Sequence, residues 1–190
     1  MSKTMQMLLA AALMLAGTGV QAEMALIQGV RAANRGACEN NLKAIGDLIG
    51  VYVTLEGGQL PAADNAAGLK EFGGGYSQCA TRHFKSDKET KDPVERDNSY
   101  IYFGGFNLEQ LPNPAVVPLV FDKPGNNHVN VLYADMHVES YKVSDMKSCL
   151  QIIEELNKQK KFPDDLLAKL REKAKKVDEA LGYDNKDVKQ

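Results

Sequence analysis

Two aspartates and two histidines bracket the short alternating runs of FDKPGNNHVNVLYADMHVESYK, residues 121–142: Asp122, His128, Asp135 and His137. Carboxylate and imidazole both suit divalent ions, so these four, gathered by a hairpin, would make a small metal site. Their spacing matches no recognised ligand motif. Polar residues at strand ends and turn tips are also the ordinary solvated rim of a sheet. No metal or other cofactor is therefore expected. A metal-binding protein or metal-dependent hydrolase built on these residues is the alternative.

Covalent chemistry has even less to stand on. Cys79 and His83 are four apart in QCATRHF, but a nucleophile and base also need a third group to orient them. The glycine runs GGGY (73–76) and GGFN (104–107) do not sit between a strand and a helix of a βαβ unit, so they read as turns rather than phosphate cradles. No nucleophile elbow, phosphate loop, zinc-protease helix or dinucleotide fingerprint occurs. A non-catalytic protein is expected, with no small-molecule substrate evident.

The first residues address the compartment. MSKTMQMLLAAALMLAGTGVQA has the parts of an export signal: basic Lys3, an apolar run from Met7 to Ala16, and the small-residue exit Val20-Gln21-Ala22. Cleavage between Ala22 and Glu23 is expected, because the apolar run is shorter than the ~20 residues that span a bilayer. The remainder is about one domain's worth of chain, placed in the periplasm or outside the cell. The formal net charge of −2 becomes one unit more negative when Lys3 is lost, which argues against a nucleic-acid partner. Three cysteines, Cys38, Cys79 and Cys149, in an oxidising compartment allow one disulfide, the third thiol being left over or pairing with another chain.

These residues must be positioned by elements of two periodicities. Residues 23–56 read as helical, with the stripe Cys38, Leu42, Ile45, Ile49, Tyr52 and Leu55 stepping by three and four; Gly57, Gly58 and Pro61 end it. NAAGLKEF is a short helix in an otherwise loop-like stretch from 57 to 98. Strands are expected within 99–106, 115–122 and the hairpin, with Pro118 marking an edge or irregular position. In the hairpin, Asp135 and Met136 read as the centre of a two-residue type I′ turn, which needs positive φ at both and strains Met136. The tail, 144–190, is a helical extension with two amphipathic helices. Leu150, Ile153 and Leu156 line one, and Leu167, Leu170, Ala174, Val177 and Leu181 the other, the second opening at Pro163 and closing at Gly182.

Several stretches together resemble the bacterial type II secretion pseudopilins and related prepilin-like proteins. CENNLKAIGDLIGVYVTLEGGQLPA resembles their Cys-x-Asn-Asn-Leu-Lys-x-Ile helix with its Leu-Pro close. QCATRHFKSD and SYIYFGG resemble their Cys-containing loop and Ser-Tyr strand. NVLYADMHVESYK resembles their closing Asp-Gly-His-Val hairpin, with Met136 where the family has glycine. The prepilin start motif is missing, and His128 fits the family's upstream histidine only at a shortened spacing. The resemblance implies an α+β, pilin-like fold: a long N-terminal helix packed on a small antiparallel sheet over residues 23–143. It also implies a Cys38–Cys79 disulfide and a non-catalytic role, binding a protein partner or a surface in the envelope or secretion apparatus. A pseudopilin that keeps its leader in the membrane is a further alternative.

Overall fold

The computed structural model describes residues 33, 35–73, 98–144 and 146–183. The expected leader 1–22, its junction at Ala22 and Glu23, and the loop carrying Cys79 and His83 lie outside them. Among the described residues no helix is long and apolar enough to cross a membrane.

The first helix, α1, is described over 35–55. Cys38, Leu42, Ile45 and Ile49 are buried, as their helical spacing requires. Tyr52 is half-buried and meets the ring of Phe72 edge-on at 5.1 Å. Leu55, expected to close the stripe, is instead 78% exposed. The chain turns inward only after it, through Gly57 and Gly58 at φ 58° and 84°, and it is Leu60 that enters the core. Two left-handed residues in a row favour glycine at both.

The expected short helix forms as α2, Asn65–Glu71. It lies so close to the sheet that a Cβ on Gly68 would stand 2.2 Å from the Ala63 carbonyl and 2.5 Å from Tyr102 Cε1. Only glycine fits there.

Four antiparallel strands follow in the order β1-β2-β3-β4: β1 Tyr100–Tyr102, β2 Pro118–Asp122, β3 His128–Tyr133 and β4 Val138–Lys142. Every residue of β2 and β3 is buried, which requires cover on both faces of the sheet. On one face, α1 approaches until a Cβ on Gly46 would lie 3.1 Å from a Leu132 methyl. On the other, Lys160 from the C-terminal helices lies over the Tyr133 and Tyr141 rings. Pro118 is not on an edge strand, for β2 is interior. It is tolerated as the first residue of its strand, where the register slips between Pro118 and Val120. On the β1 edge, Asn98 uses its amide as a substitute strand, donating to the Tyr100 carbonyl at 2.6 Å and accepting from the Tyr100 N–H at 3.1 Å.

The closing hairpin differs from the two-residue turn expected for it. Met136 N–H donates to the Tyr133 carbonyl at 2.9 Å, and Tyr133 N–H donates to the His137 carbonyl at 2.9 Å. Ala134 and Asp135 are thus the central pair, and Met136 alone has positive φ, 69°. This is a three-residue loop ending in a left-handed residue, the glycine-bulge arrangement. Only one residue then needs the left-handed region, so Asp135 escapes the strain and Met136 bears it. Met136 is also no exposed tip, being half-buried and packed on the core.

The tail forms both expected helices, α3 Cys149–Lys160 and α4 Asp164–Leu181. All eight residues expected on their apolar faces are buried and join the same hydrophobic cluster as α1 and the sheet. Gly182 closes α4 at φ 72°. Asp178 of α4 reaches back to cap α3. Its Oδ1 accepts from Cys149 N–H at 2.7 Å and its Oδ2 from Leu150 N–H at 3.0 Å.

Candidate functional site

The four residues first considered for metal do not gather. Asp122 closes β2 and His128 opens β3 at one end of the sheet. Asp135 and His137 lie beyond the far end of β3, whose 6 residues extend roughly 20 Å. Among the described residues no group of three or more His, Cys, Asp or Glu side chains is placed to hold a metal ion.

At the Asp122 end a polar row crosses the sheet beneath α1, one residue from each strand. Tyr100 is opposite Asp122, and Asn130 is opposite Ser140. Asp122 Oδ2 joins the two halves by accepting from the Asn130 N–H at 2.9 Å and the Asn130 side-chain amide at 2.8 Å. Ser140 donates to Asn130 Oδ1, and the Tyr100 phenol reaches the Cys38 carbonyl on α1 at 3.5 Å. Asp122 and Asn130 are fully buried. Burial pushes the Asp122 carboxyl up to about 7 against the pull of the two Asn130 hydrogen bonds. Asp122 Oδ1, His128 Nε2 and Asn126 Nδ2 are buried without a hydrogen-bond partner. Burial, and next the charge of Arg35, hold the His128 imidazole below its ordinary range.

At the Asp135 end a clasp joins the hairpin to α3. His137 stacks on Tyr133, with ring centroids 4.6 Å apart and planes 7° from parallel. Its Nδ1 is bonded to Asp135, and its Nε2 lies 3.5 Å from Glu139 Oε1. Glu139 Oε2 accepts from the Tyr141 phenol and pairs with Lys160 Nζ of α3 at 2.7 Å. The Tyr133 and Tyr141 hydroxyls are 2.7 Å apart. Desolvation raises Glu139, but bonds from Lys160 and Tyr141 and the charges of Lys160 and His137 outweigh it and leave the carboxyl lowered. Asp135 and His137, taken singly as candidate ligands, are thus spent on one another and on the clasp. The arrangement fastens the C-terminal helices to the sheet.

Of the cysteines, Cys38 is disulfide-bonded and buried on α1, and Cys149 is a free buried thiol. Cys79, the implied partner of Cys38, lies outside the described residues.

Asn130, Ser140, Glu139, Lys160 and Asp178 carry these networks and were not singled out from the sequence. For Asn130 a signal existed: it breaks an apolar run in HVNVLY at a position buried on both sides. For Asp178 none did, since an aspartate near a helix end looks like any solvated acid. On α1 the outward residues Val51 and Leu55 are 63% and 78% exposed, one helical turn apart. Neither a family model, nor a characterised protein, nor a solved structure matches the chain.

Proposed function

We propose that the chain is an exported, non-catalytic, pilin-like protein that binds another protein or a surface in the cell envelope or secretion apparatus. The observation that supports this reading is the order of the architecture: one helix laid on a four-stranded antiparallel meander that ends in the Asp-x-His-Val hairpin. The contact surface in this reading is the outer face of α1, where Val51 and Leu55 expose apolar side chains to solvent.

A photo-crosslinking residue at position 55, in cells exporting the protein, should trap a defined adduct. Val51→Asp with Leu55→Asp should abolish it while leaving the melting temperature unchanged. A stable double variant that retains the adduct would move the contact elsewhere, and no adduct from any α1 position would end the reading. Intact mass of the exported protein tests the leader: a species beginning at Glu23 excludes the membrane-retained pseudopilin.

The unpartnered Asp122 Oδ1 and His128 Nε2 favour, as a second reading, an ion at that corner of the sheet. An ion that binds only the native state raises stability by mass action. Added calcium or zinc that raises the melting temperature of the wild type, but not of Asp122→Asn or His128→Ala, would support it.

A further inference from the structure

Of the four residues first weighed for metal, Asp122 and His128 remain neighbours. Asp122 is bonded to the side chain of Asn130, and His128 lies two residues from Asn130 along β3, on the same face of the sheet. Side chains set diagonally in this way have Cβ atoms roughly 7 Å apart. That leaves room for one ion between a carboxylate and an imidazole, each about 2 Å from it. Both residues are buried, and each keeps one atom without a hydrogen bond, Oδ1 of the carboxyl group and Nε2 of the imidazole.

The other polar atom of each side chain is engaged by a neighbour that orients it. Asp122 Oδ2 accepts from the Asn130 N–H and side-chain amide at 2.9 and 2.8 Å, and Ser140 donates to the Asn130 oxygen. His128 Nδ1 lies 3.3 Å from Asn127 Oδ1. An amide oxygen only accepts, so Nδ1 carries the proton, and in the neutral ring Nε2 is left as a lone pair. Two acceptor atoms are thus buried at one corner; they cannot bond to each other, whereas a cation satisfies both. Metal-binding histidines and carboxylates are oriented by outer partners of this kind.

We propose that Asp122 Oδ1 and His128 Nε2 hold one divalent cation of the zinc, nickel or cobalt class. This rests on the ion reading of that corner and adds the identity of the ion. An imidazole nitrogen beside a single carboxylate suits these metals, whereas calcium takes about six to eight oxygens. Asn126, in the connection between the two ligands, has its amide nitrogen buried without a partner; turned half round, that amide offers its oxygen as a further ligand. The connection is half-buried at Gly125 and Asn126 and exposed at Asn127, which gives an ion its way in. Arg35 of α1, whose charge acts on His128, and Lys142, opposite His128, are both exposed, so water and salt screen them. Lys123 acts on Cys149 of α3, toward the other face of the sheet.

Zinc, nickel and calcium chlorides, titrated separately into the purified exported protein and followed by calorimetry, should show one saturable site for zinc or nickel and calcium bound at least roughly tenfold more weakly. Asn127→Ala, at an exposed position, should weaken zinc about tenfold to a hundredfold while the metal-free melting temperature stays unchanged. Asp122→Asn and His128→Ala should each remove zinc binding. In the wild type, imidazole-nitrogen NMR should place zinc on Nε2 of His128 with the proton kept on Nδ1, a measurement that stands even where a variant does not fold. Calcium held more tightly than zinc, and lost in Asp122→Asn, would overturn the assigned class and leave the ion reading standing. No ion bound would end both. Zinc bound with the His128 nitrogens unshifted, or with an affinity that Asn127→Ala does not change, would overturn the proposal.

Discussion

Replacing Asp178 with alanine should be among the most costly single changes in the C-terminal helices. Asp178 is fully buried on α4, yet its carboxylate accepts from the first two backbone N–H groups of α3, at 2.7 and 3.0 Å. Those donors have no intrahelical acceptor. A hydrogen bond to a charged group contributes ~1.5–3 kcal/mol, and each buried donor left unmade costs a similar amount. Asp178→Ala should therefore destabilise the protein by about 3–5 kcal/mol, lowering the melting temperature by roughly 10 °C or more for a chain of this size. Ser148→Ala is the internal standard. Ser148 caps the same helix by a single bond from Gln151 N–H at 3.2 Å, and its loss should cost only ~1 kcal/mol. Urea unfolding with a shared slope measures both, and Asp178→Asn, retaining one acceptor oxygen, should fall between them. If Asp178→Ala costs no more than Ser148→Ala, α4 does not cap α3 in solution and the tail helices are not docked through this contact.

Glycine substitutions should separate close approach from helix propensity. Gly50→Ala on α1, where a Cβ meets nothing within 4 Å, should gain up to ~1 kcal/mol. Gly68→Ala should lose about 2 kcal/mol or more, because the new methyl meets backbone and a buried ring. Equal effects in thermal unfolding would contradict the α2 packing. At the hairpin, Met136→Gly relieves ~1–2 kcal/mol of left-handed strain. It also gives up ~0.4–1 kcal/mol through the freer unfolded chain and about 1 kcal/mol of half-buried side chain, so stability should stay within about 0.5 kcal/mol of wild type. A gain well above ~1 kcal/mol would mean that the Met136 side chain does not pack on the core. Peptide mapping without reduction should yield a Cys38–Cys79 crosslink closing about 40 residues, a bond contributing ~4 kcal/mol. A crosslink to Cys149 would require α3 to leave the core.

The sequence by itself determined the elements whose signals are local. The apolar spacing of Leu150, Ile153, Leu156 and of Leu167 through Leu181 specified which face of each tail helix is buried, since a helix of any origin repeats every 3.6 residues. Pro163 and Gly182 marked the ends of α4 for equally local reasons of φ and missing donors. Tertiary structure decided what depends on neighbours distant in the chain. The hairpin's turn type rests on a ladder register one residue different from the one the alternation suggests, which moves the strain to Met136 alone. Leu55 had the spacing of a core residue but lies where the helix has passed its last buried contact. Asp122 looked like a rim residue but is fully buried, with Oδ2 bonded to Asn130, which β3 places beside it, and Oδ1 left without a hydrogen bond. Asp135 and His137 looked like available ligands, but β4 and α3 bring Glu139, Tyr141 and Lys160 around them. Burial and pairing of polar groups are properties of the register between segments, and alternation within a single segment does not carry them.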